Sequence, residues 1–337
     1  MVYAKPYEII GERHFLELPE LLPGCRTCLK LEGINPAGSI KLKAAVAMVD
    51  DAEASGHLRP GGHIIESSSG SLGVALAMIA AARGYSFSCV VDPNITASST
   101  AAIRAFGGQV IRVDRADKGG GYLGARLDAV RARVAVDATL VWLNQYTNPA
   151  NPAAHAAGTA ASILAEFPVV DYLFVGVGTA GTLMGCLDHL RRHSPRTRVV
   201  AVDAEGSVTF GTAPAPRRLP GLGSSRRPPL FEPGRAYRQV QIGERDAIGA
   251  CRMLARRYGY LAGGSTGSTV AAIQSMRTDI AAGSVVIALS PDSGERYLNT
   301  VYDDDWVRAC YGADALTSGP TGSAAPSGTD IFDGARL

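Results

Sequence analysis

Lysine is scarce in this sequence. Lys5, Lys30, Lys41, Lys43 and Lys118 are the only five among 33 basic residues in a chain of 337. Arginine carries the rest of the positive charge, so a lysine held inside a motif asks for a reason. Long apolar runs are missing too. None reaches the ~18 residues of a membrane-spanning helix, and Met1-Val2-Tyr3-Ala4-Lys5-Pro6 has no apolar signal-peptide core. The formal net charge is only +2, with no basic run interleaved with aromatics. Neither nucleic acid nor an anionic membrane is therefore expected as a partner. Cys25 and Cys28 make a single C-x-x-C, and a zinc site needs a second pair, so no metal is expected. Cys89, Cys186, Cys251 and Cys310 stand alone, several within apolar runs. That usage fits reduced thiols and a reducing cytoplasm. From about Gly312 to Leu337 the chain is rich in Ser, Gly, Ala, Thr and Pro, and a disordered tail is expected there.

What is present is an alternation of strand and helix patterns. Strands are expected over 28–31, 63–66, 87–91, 109–113, 140–143, 172–175, 198–202 and 285–289. Helices are expected over 43–54, 72–83, 98–106, 121–134, 153–167, 182–192, 246–258 and 268–277. This rhythm predicts an α/β protein with parallel sheets covered by helices. Residues 214–233, rich in Pro, Gly and Arg, have no periodicity. A connection of that length is often functional.

Five stretches could carry chemistry. Asn35-Pro36-Ala37-Gly38-Ser39-Ile40-Lys41 delivers a lysine from a turn to a helix start. Lysine, unlike arginine, can deprotonate and form a Schiff base with an aldehyde; by itself the turn equally suits a solvated helix-start lysine. Glu66-Ser67-Ser68-Ser69-Gly70-Ser71-Leu72-Gly73 joins a strand to a helix, where free N–H groups favour an anion, although serine is also an ordinary cap. Gly176-Val177-Gly178-Thr179-Ala180-Gly181-Thr182 has the form of a phosphate cradle. With Asp203 about 20 residues on, it also fits a nicotinamide-dinucleotide oxidoreductase. Leu261 to Ser268 is a further Gly/Ser loop, and Ser290 to Leu298 places hydroxyls at a strand's C-terminal end. A dinucleotide needs one such loop. Three loops and a lysine turn suit a phosphorylated aldehyde cofactor.

In chain order these motifs resemble the fold-type II pyridoxal 5′-phosphate (PLP) enzymes, the cysteine synthase and cystathionine β-synthase family, from about residue 25 to 310. The resemblance implies two parallel-sheet α/β domains of the tryptophan synthase β type: 1–40 plus 147–311 as the larger PLP-binding domain, and 41–146 as a smaller mobile one. It implies PLP on Lys41, which also serves as base. The cradle would be Gly178, Thr179, Ala180, Gly181 and Thr182, with Ser293 or its rival Ser265 at the pyridine nitrogen. Ser68, Ser69, Gly70, Ser71, Gln145 and Tyr146 would meet the substrate, and Ser71 would also meet the cofactor ring. A homodimer acting on small amino acids is implied as well.

Other stretches resemble one branch, the N-(2-amino-2-carboxyethyl)-L-glutamate synthases of siderophore and 2,3-diaminopropionate biosynthesis. They are Gly120 to Leu123 with Arg126, Val202 to Val208, Leu219 to Gly223 and Ala262 to Ser268. That branch condenses O-phospho-L-serine with L-glutamate and releases phosphate; cysteine synthase is the alternative within the family. Arg126, Arg226 and Arg227 are candidates for the leaving phosphate or the second substrate's carboxylate. Two departures stand out: Ser71 replaces the family's asparagine, and Ala180 replaces the cradle's second glycine. Lys43, two residues beyond Lys41 on a helix, is expected to point away from it.

Overall fold

A computed structural model describes residues 2–117 and 121–317. The alternating pattern folds into two sheets. Six strands are ordered β1-β2-β10-β7-β8-β9: β1 Phe15–Glu17, β2 Arg26–Leu31, β7 Tyr172–Gly176, β8 Arg198–Ala204, β9 Arg238–Ile242 and β10 Val285–Ser290. All pairings are parallel except β1 with β2. Four strands form an all-parallel sheet ordered β5-β4-β3-β6: β3 His63–Ser67, β4 Ser86–Val91, β5 Gln109–Arg112 and β6 Leu140–Trp142. The smaller sheet thus takes its strands from within residues 41–146, and the larger from both flanks.

The helices are α1 Lys41–Ala54, α2 Ser71–Arg83, α3 Ala97–Ala105, α4 Leu123–Val136, α5 Ala150–Ala154, α6 Ala161–Glu166, α7 Gly181–His193, α8 Glu244–Tyr258, α9 Gly264–Ser275 and α10 Asp304–Tyr311. Central strands such as β7 and β10 are buried almost throughout, as helices on both faces of a parallel sheet require. One core covers the smaller sheet with α1 and α2, around Leu42, Met48, Leu76 and Ile79. Two more lie on the large sheet, around Phe174 and Ile248 on one side and Leu173 and Leu183 on the other.

Several expectations need correction. The helix over 153–167 is interrupted: α5 and α6 flank a π-helical segment, His155–Ala160. Helix α9 starts at Gly264, so most of the expected Gly/Ser loop is its first turn. The cause is packing: a Cβ at Gly267 would lie 2.1 Å from the Ala247 carbonyl oxygen and 2.5 Å from Cys251 Sγ, so α8 and α9 can meet only over glycine. Strands β1 and β9 and helix α10 were not expected from the pattern. Residues Asp314–Thr317 form a short helix with Ala315 buried, so the expected tail begins with ordered chain; residues 318–337 lie outside the described residues.

Lys43 does point away from Lys41. Its Nζ lies 2.6 Å from Glu12 and 2.7 Å from Glu32, while the fully buried Lys30 lies 3.4 Å from Glu32 and 3.8 Å from Glu12. This quartet ties the N-terminal segment, β2 and α1 together. Removing one member would leave a buried charge uncompensated, at a cost of about 3–5 kcal/mol. All six cysteines are free, with Cys28, Cys89, Cys186 and Cys251 buried, and no cluster of three metal-ligating side chains occurs among the described residues.

Candidate active site

The lysine turn lies at the strand ends of the large sheet and opens α1. Asn35 shapes it: its Oδ1 accepts from Ala37 N at 3.1 Å and Ser39 N at 3.4 Å, and its Nδ2 donates to the Glu32 and Ser39 carbonyls. Lys41 then projects into a cavity of about 1070 Å³, partly open to solvent, between the two sheets. Part of its surface faces that cavity, but protein surrounds it, and its amine has no hydrogen bond or ion pair among the described residues. Desolvation pushes the Lys41 amine down to about 8. A neutral, nucleophilic amine is thereby within reach near neutral pH.

The same cavity is lined by Ser68, Ser69, Gly70 and Ser71, by Gln145, by Gly178 through Thr182, and by Ser265. A wider mouth, about 1650 Å³ including solvent, adds Tyr146, Arg126, Asp92 and Arg217. Of the sequence-derived candidates, Ser293 is not among the lining residues: it is half-buried and its backbone bridges Ala262. Ser265, its rival, is buried and lines the wall. Arg226 and Arg227 line neither space. Both are exposed, Arg226 lying 3.9 Å from Asp117 and Arg227 donating to the Thr209 carbonyl. Asp203 is also absent from the wall. It is fully buried, accepts from Ala204 N at 2.8 Å, and is pushed up by burial, which leaves it no ribose to meet. Gly120 lies outside the described residues.

In the serine loop, Ser68 and Ser69 hold the backbone. Ser68 Oγ accepts from Gly73 N at 3.0 Å, and Ser69 Oγ accepts from Asp92 N at 2.8 Å. Ser71, in place of asparagine, receives a hydrogen bond from Arg296 at 3.2 Å, and Arg296 also donates to the Ala37 carbonyl. These two bonds couple the loop to the lysine turn through a guanidinium. Behind the loop, Glu66 is fully buried. Its carboxylate accepts from Ser67 N at 2.8 Å, Trp142 Nε1 at 3.2 Å and Gln145 N at 3.3 Å, while Gln145 Nε2 donates to the Ser67 carbonyl at 2.9 Å. Burial still pushes Glu66 up to about 7 against those donors. Glu66 thus pins Gln145 beside the serine loop, and Asn144, at φ 53°, takes the strained turn that this needs.

The cradle follows β7. A Cβ on Gly181 would lie 2.2 Å from Asn151 Oδ1, and one on Gly178 would lie 3.2 Å from the Gly221 carbonyl oxygen of the long loop. Asn151 donates to the Gln145 carbonyl at 2.8 Å and to Thr179 Oγ1 at 3.3 Å, which joins the glycine turn to the Gln145 segment. Ala180 sits at φ 69°, the left-handed region that glycine takes without cost. Ala180→Gly should therefore stabilise the protein by about 1 kcal/mol, read as a rise in melting temperature of the cofactor-free protein. A fall would show that the Ala180 methyl packing outweighs the strain.

These residues fit a phosphorylated pyridine aldehyde. A desolvated, unpaired amine, a glycine turn packed tightly at Gly181, and a buried serine share one cavity. Sequence reasoning missed Asp292, whose Oδ2 accepts from Tyr297 at 2.6 Å and whose Oδ1 is buried without a partner. Burial pushes Asp292 up to about 6. It also missed Arg296, Asn151, Glu66 and Arg217. Asp292, Arg296 and Glu66 stood inside motifs already singled out, and Arg217 inside the long loop; Asn151 carries no signal of its own.

Comparison with known proteins agrees with this geometry. The family described as pyridoxal-phosphate dependent enzyme matches residues 8–292. A protein of Ralstonia nicotianae named N-(2-amino-2-carboxyethyl)-L-glutamate synthase is 41% identical over 330 residues, covering 97% of each chain. One of the same name from Cupriavidus metallidurans is 41% identical over 313 residues, covering 91% of this chain and 92% of its own. Among solved structures, O-ureido-L-serine synthase superposes with a TM-score of 0.83 at 34% identity, covering 94% of this chain and all of that one. The O-acetylserine-dependent cystathionine β-synthase of Helicobacter pylori gives 0.83 at 25% identity, covering 89% and 98%.

Proposed function

This chain belongs to the pyridoxal-phosphate dependent enzymes, and from that premise we propose that it joins O-phospho-L-serine to L-glutamate. The products are N-(2-amino-2-carboxyethyl)-L-glutamate and phosphate, towards 2,3-diaminopropionate. The observation that carries the donor assignment is Arg126 in the mouth of the Lys41 cavity. It sits in the first turn of α4, with Nε 3.1 Å from Asp92 Oδ2, and Tyr146 lines the same mouth. An arginine on the outer face of a helix would be solvated; this one is 11% exposed and turned to the cavity mouth.

In this reading Lys41 holds the cofactor aldehyde, Gly178 to Thr182 hold its phosphate, and Ser265 meets the ring nitrogen. When bound, the cofactor supplies an electron sink for the bonds at the substrate's Cα. The serine loop and Gln145 would orient the α-carboxylate, and Lys41 Nζ, once released as a free amine when the substrate's amine takes its place, would take the Cα proton. Arg126 would offset the charge of the departing phosphate and Tyr146 would donate a hydrogen bond to it. Arg217, half-buried in the mouth with Nε unpartnered, is assigned to the second amino acid's side-chain carboxylate. Residues 41–146, which contribute the small sheet, would be the mobile unit over the larger PLP-binding one. A cytoplasmic homodimer completes the proposal; no helix of the described residues is long and apolar enough to cross a membrane.

The test compares donors. A phosphate monoester carries about −1.5 to −2 charges near neutral pH and an acetyl ester none. Arg126→Ala should lower kcat/KM for O-phosphoserine by about 100-fold, as for loss of a charged hydrogen-bonded contact, and change that for O-acetylserine little. Equal losses, or a parent that prefers O-acetylserine with sulfide as nucleophile, would make cysteine synthase the better reading.

A further inference from the structure

Lys43 and the π-helical segment have no part in the chemistry so far, yet they meet behind the cradle. Three acceptors stand round Lys43 Nζ: Glu12 at 2.6 Å, Glu32 at 2.7 Å and Thr159 Oγ1 at 3.3 Å. Thr159 Oγ1 lies 3.3 Å from His155 Nδ1, and His155 Nε2 lies 3.2 Å from Thr182 Oγ1, the last cradle residue. Lys43 and Thr159 are buried, and His155 is fully so. The π turn makes this line-up: its wider winding sets His155 and Thr159 beside α7, where a Cβ on Gly185 would lie 2.2 Å from the Pro152 carbonyl oxygen.

The direction of each hydrogen bond follows from chemistry. An ammonium has three protons and no lone pair, so Lys43 can only donate, and Thr159 Oγ1 must accept. The Thr159 hydroxyl proton then has one remaining acceptor within reach among the described residues, His155 Nδ1. An imidazole that accepts at Nδ1 carries its proton on Nε2. That proton goes to Thr182 Oγ1, so the Thr182 hydroxyl proton is left to point elsewhere, into the cradle. The opposite order would put a proton on Nδ1 and leave the buried Thr159 hydroxyl without an acceptor. Burial, then Lys41 and Lys43, push the His155 imidazole well below its ordinary range, consistent with a neutral ring.

We propose that Lys43, Thr159 and His155 form a one-way hydrogen-bond relay that fixes Thr182 as a donor to the cofactor phosphate. His155 and Thr159 are positioning residues; they act through Thr182. The proposal rests on the cradle reading above.

The test reads the tautomer directly. In protein labelled with 15N-histidine, the resonances that vanish in His155→Gln belong to His155. The Nε2–H tautomer is expected with PLP removed and with PLP restored. Thr159→Val removes the donor to Nδ1; it should abolish the tautomer preference and raise the PLP dissociation constant about tenfold, the size of one charge-assisted hydrogen bond. Thr159→Ser should restore both. An Nδ1–H tautomer or an imidazolium in the parent would overturn the relay, as would a Thr159→Val protein that binds PLP within about twofold of the parent. If Thr159→Val does not fold, the parent tautomer and the Thr159→Ser affinity still decide. The cradle reading fails separately: the 31P signal of bound PLP would then be indifferent to Gly181→Val, whatever the tautomer.

Discussion

Lys41→Ala is expected to reduce turnover by at least about 10⁴-fold, because the residue proposed to hold the aldehyde and to take the Cα proton is lost at once. Borohydride treatment of the parent should attach the cofactor to the peptide that contains Lys41. Attachment to Lys43 would contradict the structure as well as the assignment, since Lys43 is locked between Glu12 and Glu32. The environment adds a pH signature. An ordinary lysine at 10.5 is about 0.1% neutral at pH 7.5, whereas one pushed down to about 8 is roughly a quarter neutral. Covalent capture of PLP by the cofactor-free protein should therefore accelerate with rising pH and level off above about 8. A rate still climbing towards pH 10 would show that the amine is not desolvated.

Gly181→Val should cost PLP affinity by about 100-fold, with a smaller loss for Gly178→Val. The two glycines differ in what surrounds them. At 181 the new Cβ meets the buried, hydrogen-bonded amide of Asn151 at 2.2 Å; at 178 it meets one carbonyl oxygen at 3.2 Å, which a small shift relieves. Overpacking of the first kind costs about 1–3 kcal/mol before the β-branch is counted, or about fivefold to 150-fold in binding. Equilibrium dialysis with PLP gives the affinity, and the melting temperature of the cofactor-free variants separates loss of binding from loss of fold. Asn151 also holds the Gln145 carbonyl, so Gly181→Val should raise KM for the amino-acid donor as well. Unchanged PLP affinity in both variants would place the phosphate elsewhere.

Periodicity alone determined most of the regular elements, because apolar spacing at 2.0 or 3.6 residues reports which face a segment buries. The lysine turn, the serine loop and the glycine cradle were also legible, since each needs particular small or turn-forming residues in a contiguous run. Three features depended on tertiary structure. That Ser265 lines the Lys41 cavity and Ser293 does not turned on where β10 and α9 deliver each backbone. The arginines of the long loop were chosen by how Leu219 to Gly223 fold over the cradle, with Gly223 N bonded to the Val177 carbonyl, which brings Arg217 to the mouth and leaves Arg226 and Arg227 outside. Glu66, Asn151 and His155 gained their roles only through partners such as Trp142, Gln145 and Thr182, at least six and up to about 80 residues away in sequence. A sequence motif encodes what one stretch of backbone can do; which buried polar group must satisfy which other is set by how distant stretches pack together.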